Sequence, residues 1–414
     1  MSDKPECGGT APALSVAQAR QALLDAVTPV VGWEMLPIRT ALGRVLSRDL
    51  VAPFDVPAHD NSAMDGFAVR AADLKAEENR LELVGTAYAG GAFSGAVGPG
   101  QAVRIMTGAV LPRGADTVVM QEAARLDGDG VILPAVSRPG QNVRRAGEDL
   151  AAGRAALRAG RRIGPAELGL LASLGLAEVA VHRRPRIAFF STGDELSSVG
   201  RPLGPGEVYD SNRHTLYGVL TRLGMEVLDL GVVRDDPAAL ERAFTEASTE
   251  ADAILTTGGV SVGEADYVRE IMGRLGEVRF WRIDIKPGRP MAFGRLGDTW
   301  LFGMPGNPVA VLVSFYQIVL DALYRLQGLD PLPIRPSFRV PCDSPIRKLP
   351  GRREFPRGVL FQAEGVWRVR LSGNQGSGVL RSMTDADCFI CLPEDSGSVS
   401  PGDLVEVQPF LGML

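Results

Sequence analysis

From Arg186 to about Asp330 the chain repeats one unit: a short apolar run, a polar loop rich in glycine, then a segment of helical period. RIAFF leads into STGDEL and a helix through Leu216 and Leu220; EVLDLGVV leads into RDDP and a second helix; DAILT leads into TGGVSVGEAD and a third. Strands alternating with helices predict a doubly wound α/β domain. In open sheets of this kind the ligand sits outside the carboxyl ends of the strands, so the same repeat says where to look for function.

The flanks read differently. Ser15 to Gln18 has capping-box spacing and opens a helix through Leu23, Leu24 and Val27. From about Val51 to Asp149 short alternating runs (LELVG, QAVRIM, DTVVMQE, GVILPAV) broken by Gly, Pro and Asp-Gly predict a β-rich domain, with Asp127 to Gly130 as a hairpin turn. Gly164-Pro165 starts a short helix that Gly175 ends, a connector back to the α/β unit. After FWRIDI, KPGRP, MAFGRL, WLFG and MPGNP, Asn307 can cap and Pro308 can start a long buried helix. Beyond Asp330 only short strands remain (FRV, GVLF, VWRVRL, CFICL, LVEVQ), a separate small β domain.

Composition narrows the ligand. With 49 glycines and 29 prolines in 414 residues, the chain is unusually rich in turns and close backbone approaches. The net charge of −5 gives no global basic field for nucleic acid or an anionic membrane, so an anionic ligand must be held locally. Lysine occurs only at positions 4, 75, 286 and 348, which makes Lys286 inside a rim loop stand out. Four cysteines and three histidines are too scattered for a disulfide framework or a zinc cage, and Cys388 and Cys391 on one strand face opposite sides. No secretory signal is visible in MSDKPECGG, and the most apolar stretch, Val309 to Leu320, is interrupted by Ser314 and Gln317, so a cytoplasmic protein without a membrane span is expected.

The rim loops are Ser191-Thr192-Gly193-Asp194-Glu195, Asp235-Asp236, Thr256 to Asp266 with Gly258, Gly259 and Ser261, Lys286 to Arg289, and Met304-Pro305-Gly306-Asn307-Pro308. Glycines at helix starts let backbone N–H groups approach an oxyanion. Glu195, Asp235 and Asp266 on the same rim would repel a phosphate unless a divalent cation lies between, the usual arrangement for magnesium. Lys286 would be the point-charge phosphate contact. No glycine is followed by lysine, which excludes a P-loop. Taken singly, each element also has an ordinary reading: Asp194-Glu195 as first-turn acids, Asp235-Asp236-Pro237 as a helix cap, Gly258-Gly259 as a turn, Lys286 as a solvated loop residue, His214 as a packing residue. A second polar cluster lies in the β-rich domain: Asp60 to Gly66, Met106-Thr107-Gly108 and Asn142 to Asp149.

The segments DNSAMDGFAV, RIMTGAVLP, NVRRAGEDL, STGDEL, YDSNRH, TTGGVSVGEADYV, IKPGRPMAFG, GMPGNPVA and NQGSG, in this order over nearly the whole chain, resemble the MoeA family of molybdopterin molybdenumtransferases. The resemblance implies an elongated homodimer of four-domain subunits: an α/β molybdopterin-binding domain (1–32 and 176–332), a connector (33–52 and 150–175), a β-rich domain (53–149) and a C-terminal β-barrel domain (333–414). It implies insertion of molybdenum from molybdate into adenylated molybdopterin, with magnesium and release of AMP, and contact with the molybdopterin adenylyltransferase. Carried over by motif, Asp65 and Thr107 face the α/β rim of the other subunit, Glu195, Asp235 and Asp266 match the active-site acids, and Arg144, Asp149, Lys286, Pro305, Pro308 and Ser377 match further site positions. Departures from the family pattern are Phe67 for a frequent Tyr, Arg282 at a basic position before IKPG, and Asn374 where His is common. A tungstate-inserting relative and a gephyrin-like scaffold are the alternatives; the scaffold resembles a role needing a further fused domain.

Overall fold

The structure, a computed structural model, describes residues 13–136, 138–259 and 267–413. Its central sheet has six strands, in the order Glu226–Val233, Arg186–Thr192, Ala253–Thr257, Thr299–Met304, Pro290–Leu296 and Glu277–Arg282. The first four pair in parallel and the last two join antiparallel. The sheet is therefore mixed where the strand–helix rhythm stops. Leu296 pairs with Thr299 across a two-residue loop, and a connection that short can only turn the chain back on itself.

Helices Ser211–Arg222, Pro237–Glu250 and Tyr267–Leu275 follow the parallel strands as their periodicity predicts. The last helical stretch of the α/β unit runs from Pro308 to Leu326, with its middle turn, Phe315–Val319, wound as π-helix; a short further helix, Arg381–Thr384, lies in the C-terminal segment. By length and hydropathy it could cross a membrane, but 94% of that window is buried inside the fold. Pro308 occupies the first turn as predicted; Asn307 is the N-cap residue by backbone conformation, yet its side chain makes no capping hydrogen bond. The expected side-chain cap is therefore absent.

The first helix, Val16–Ala26, carries the predicted capping box: Gln18 N–H donates to Ser15 Oγ at 3.1 Å and Ser15 N–H to Gln18 Oε1 at 2.8 Å. It packs through Val16, Ala19 and Leu23 into the same core as Phe189, Phe302, Phe315 and Leu323. The chain then passes through two short antiparallel pairs, Trp33–Pro37 with Glu178–His182 and Leu50–Val51 with Ala155–Leu157, which carry it out to a second six-stranded sheet and back. That sheet has its own small cores, around Leu81, Val119 and Leu133 on one face and Val103, Ile105 and Val118 on the other. Asp127 and Gly130 pair across a two-residue loop, the predicted hairpin.

The C-terminal segment forms a five-stranded antiparallel sheet in the order Phe338–Pro341, Leu404–Pro409, Cys388–Cys391, Arg357–Ala363, Val366–Leu371. Its CFIC strand alternates as a strand should: Cys388 and Ile390 join one core, Phe389 and Cys391 the other. Burial pushes both thiols well above their usual range. Among the described residues Cys342, Cys388 and Cys391 are all free and buried, the last two on opposite faces of one strand.

Asp321 in the long helix is 3% exposed and receives Arg335 Nη2 at 2.6 Å and Arg20 Nε at 2.9 Å. It ties the first helix, the core helix and the segment entering the C-terminal sheet together. Asp321→Ala strands two guanidinium groups beside an apolar core, so we expect a loss of about 3–5 kcal/mol in urea unfolding. Arg20 is more than one-third exposed and Arg20→Ala should cost far less. Equal losses for the two variants, or a loss under about 1 kcal/mol for Asp321→Ala, would remove the triad from the stability argument.

Candidate active site

The carboxyl ends of the parallel strands open into a cleft of about 1020 Å³, closed on the far side by the C-terminal sheet. Ser191 is fully buried just behind this edge: its Oγ donates to Asp210 Oδ1 at 3.0 Å and accepts from Thr257 Oγ1 at 2.9 Å. It fastens three loops together and does not itself line the cleft. Thr192, Gly193, Glu195, Asp235, Gly258, Gly259, Lys286, Pro305, Gly306, Asn307, Pro308 and Ser377 do.

Gly258 is dictated by close approach, and Gly193 by its backbone conformation. Gly258 has φ +90°, and a Cβ there would lie 2.5 Å from the Thr192 carbonyl oxygen. Gly193 has φ +151°, and a Cβ would lie 2.6 Å from Glu195 Oε2, so the Glu195 carboxylate folds over this bare backbone. The two aspartates of the RDDP loop divide their work. Asp236 caps the Pro237–Glu250 helix by accepting from Ala239 N–H at 2.8 Å. Asp235 accepts from the Thr192 hydroxyl and lines the cleft.

The opposite wall is built by a short parallel pairing of Ile285–Lys286 with Arg353–Glu354, which brings the IKPG loop against the C-terminal sheet. Lys286 Nζ is 3.0 Å from Glu354 Oε2; the lysine is half-exposed and the glutamate buried, so the ammonium enters the cleft already partnered by an acid. Arg357 is 1% exposed and has no carboxylate partner among the described residues. Its Nε donates to Ser382 Oγ at 3.0 Å and Nη2 to the Gly376 carbonyl at 3.2 Å. Burial pushes its guanidinium down to about 10, which still leaves it charged at neutral pH. With Arg289, Arg347 and Arg352 also lining this wall, the cleft is acidic on the strand side and basic on the other.

Several of these residues escaped the sequence reading. Asp210 and Asn212 sit in YDSNRH, a stretch with no local catalytic signature; Asp210 caps the Ser211–Arg222 helix through Arg213 N–H at 3.1 Å, and Asn212 Nδ2 reaches the Gly306 carbonyl at 2.6 Å. Asp210 Oδ2 and Asn212 Oδ1 are buried without a hydrogen-bond partner among the described residues. Arg357 and Glu354 carry no local motif and become site residues only when the C-terminal sheet folds against the rim.

The second cluster is assembled too, but elsewhere. Asp65 Oδ1 accepts from both Thr107 N–H and Thr107 Oγ1 at 2.7 Å. Arg144 lies exposed on a strand pair with Asn61–Ser62, and Asp149 is exposed, its N–H donating to the Val56 carbonyl. None of these four lines the cleft of its own chain. Ser261 and Asp266 lie outside the described residues.

The whole chain has known counterparts. Residues 14–175 match the family model for the MoeA N-terminal region (domain I and II), 188–325 that for a probable molybdopterin binding domain, and 339–410 that for the MoeA C-terminal region (domain IV). The molybdopterin molybdenumtransferase of Haemophilus influenzae is 42% identical over 97% of this chain and all of its own length. The chain belongs to the MoeA family. The molybdopterin molybdenumtransferase of Bacillus subtilis is 34% identical over 90% of the chain and 89% of its own. The solved molybdopterin biosynthesis moeA protein of Pyrococcus horikoshii OT3 superposes with a TM-score of 0.82 at 29% identity, over 96% of this chain and all of that one.

For a MoeA-family chain the acidic wall raises the question of a cation. Glu195, Asp235 and Asp210 line the cleft, and of these Asp210 is already ion-paired, its Oδ2 lying 3.7 Å from Arg213 Nε. Among the described residues no three of His, Cys, Asp or Glu converge to hold an ion by themselves. Two carboxylates facing an open anion cleft fit magnesium, which takes its remaining ligands from water and substrate phosphates.

The Asp65–Thr107 pair yields a direct test. Its two hydrogen bonds, the backbone one foremost, hold the Asp65 carboxyl below its usual value of 3.8. A depressed folded-state value means that the pair stabilises fully above the unfolded value and loses its effect as pH falls through the folded one. Thr107→Val removes one of the two donors, so the Asp65 carboxyl, followed by carbon NMR, should titrate at higher pH than in the parent. An unchanged titration would show that the hydroxyl bond does not form.

Proposed function

We propose that this protein inserts molybdenum, taken from molybdate, into adenylated molybdopterin and releases AMP, as a homodimer with composite sites. Its place among molybdopterin molybdenumtransferases makes it a transferase of molybdenum cofactor biosynthesis. The observation that carries the finer reading is the division of charge across one cleft: carboxylates over a glycine rim on one wall, a buried guanidinium without an acid partner on the other. A nucleotide-linked phosphoanhydride suits the first wall, because the Gly258-Gly259 and Gly306 backbones can meet phosphate oxygens without side chains intervening. Magnesium held by Glu195, Asp235 and Asp266 would supply charge neutralisation there. A doubly charged tetrahedral oxyanion suits the second, where Arg357, Ser377 and the outward face of Lys286 offer donors.

Asp65, Thr107, Arg144 and Asp149 enter this reading across the dimer, presenting an ordered carboxylate and a guanidinium to the partner's cleft. A passing contact with the molybdopterin adenylyltransferase would let the adenylated pterin be handed over without release.

With magnesium and adenylated molybdopterin, AMP release should depend on molybdate; turnover of ATP without action on the pterin would refute the assignment. Asp235→Asn should lower turnover at least about a hundredfold while leaving the melting temperature nearly unchanged. For the composite site, Asp65→Ala and Asp235→Ala are each expected to be inactive and, after subunit exchange verified by mass spectrometry, to regain part of the activity. Exchanged but inactive mixtures would refute it.

A further inference from the structure

Away from the cleft, where the outbound connector meets the α/β unit, lies a smaller crevice of about 250 Å³. Its walls carry Arg44, Arg162, Arg183, Arg184 and Arg222 together with His182, and no aspartate or glutamate. Two of the arginines are balanced from outside it: Arg44 by Glu34, and Arg183 by a bidentate contact with Asp252 at 2.6 and 2.8 Å. Arg162, Arg184 and Arg222 have no carboxylate partner among the described residues. Arg162 Nη2 reaches Gln327 Oε1 at 3.1 Å and its plane lies over the Tyr324 ring, but its Nε is buried with no hydrogen-bond partner. Burial holds the His182 imidazole below its usual value, so it faces the crevice neutral at physiological pH.

An arrangement of three unopposed guanidinium groups around one crevice is repulsive as it stands, and a buried N–H without an acceptor costs more. Both are relieved by the same object. We propose that this crevice is a second anion site, taking a doubly charged phosphate-type oxyanion, inorganic phosphate or pyrophosphate, that braces the connector against the α/β unit. The volume falls below the ~300–1,000 Å³ of pockets for larger organic ligands, which favours a small inorganic anion over a nucleotide. Guanidinium forks match the tetrahedral oxygens. The walls come from both sides of the junction, Leu42 to Val45 and Arg162 from the connector, Arg222 to Gly224 and Gln327 from the α/β unit. A bound dianion would therefore set the angle at which the β-rich sheet is carried.

The test uses the full chain, with hydrogen exchange read by mass spectrometry in phosphate, in pyrophosphate and in sodium chloride of equal ionic strength. Phosphate or pyrophosphate, and not chloride, should slow exchange in segments 41–46, 160–164 and 222–225. Arg184 and Arg222 are exposed, so Arg184→Ser/Arg222→Ser should fold, should need about tenfold or more anion for the same protection, and without anion should melt no lower than the parent because repulsion is relieved. Lys286→Gln/Arg352→Gln, which alters the large cleft, should keep the protection at the junction. Protection that survives Arg184→Ser/Arg222→Ser, that is matched by chloride, or that is lost in Lys286→Gln/Arg352→Gln would overturn the proposal. So would a marked fall in the melting temperature of Arg184→Ser/Arg222→Ser without anion, since the arginines would then be acting as structural caps.

Discussion

The burial of one helix, Pro308 to Leu326, sets where everything else in the cleft can be. Val309, Val313, Phe315, Ile318, Val319 and Leu323 share a single core with the first helix, the central sheet, and Phe355, Phe389, Cys391 and Met413 of the C-terminal segment. A helix buried on all faces cannot slide without exposing apolar surface, at roughly 25 cal/mol for each Å² uncovered. Through it the strand ends and the C-terminal sheet are held at a fixed separation, and that separation is the cleft. The backbone then draws the rims together: Val309 N–H donates to the Ser377 carbonyl at 3.0 Å, and Lys286 and Glu354 face each other across a two-residue parallel pairing.

What could be read from the sequence follows from which forces are local. Capping, hairpin closure and strand alternation act over a few residues, so the Ser15–Gln18 box, the Asp127–Gly130 hairpin and the split faces of the CFIC strand were all legible. The glycine rim was legible because a positive φ and a close backbone approach exclude other residues, as at Gly258. The antiparallel pairing of the last two strands of the central sheet was not, because apolar runs such as MAFGRL carry no mark of strand direction. The Asn307 cap was overread: a residue type suited to capping took the backbone conformation without making the bond. Arg357 was invisible for the opposite reason. Arginine is common in this chain, and what distinguishes this one is burial with no carboxylate partner among the described residues.

Lys286 shows why rarity is a weaker signal than environment. Its scarcity marked it as a phosphate ligand, yet the structure seats it 3.0 Å from Glu354. A partnered ammonium presents less net charge to a ligand than Arg357, whose hydrogen bonds go to a hydroxyl and a carbonyl and leave its charge uncancelled.

On the proposed function, this division is what would let a chain with a net charge of −5 hold an anion. Long-range attraction is absent, so binding must come from groups aimed at one point and kept out of water, where a charge is screened least. Burying an unpaired guanidinium opposes folding and is tolerated only if the surrounding structure overdetermines its place. Here the large apolar core supplies that constraint, and the Arg357 side chain is fixed at the cleft wall by its bonds to Ser382 Oγ and the Gly376 carbonyl, while Gln375 fixes its backbone N–H.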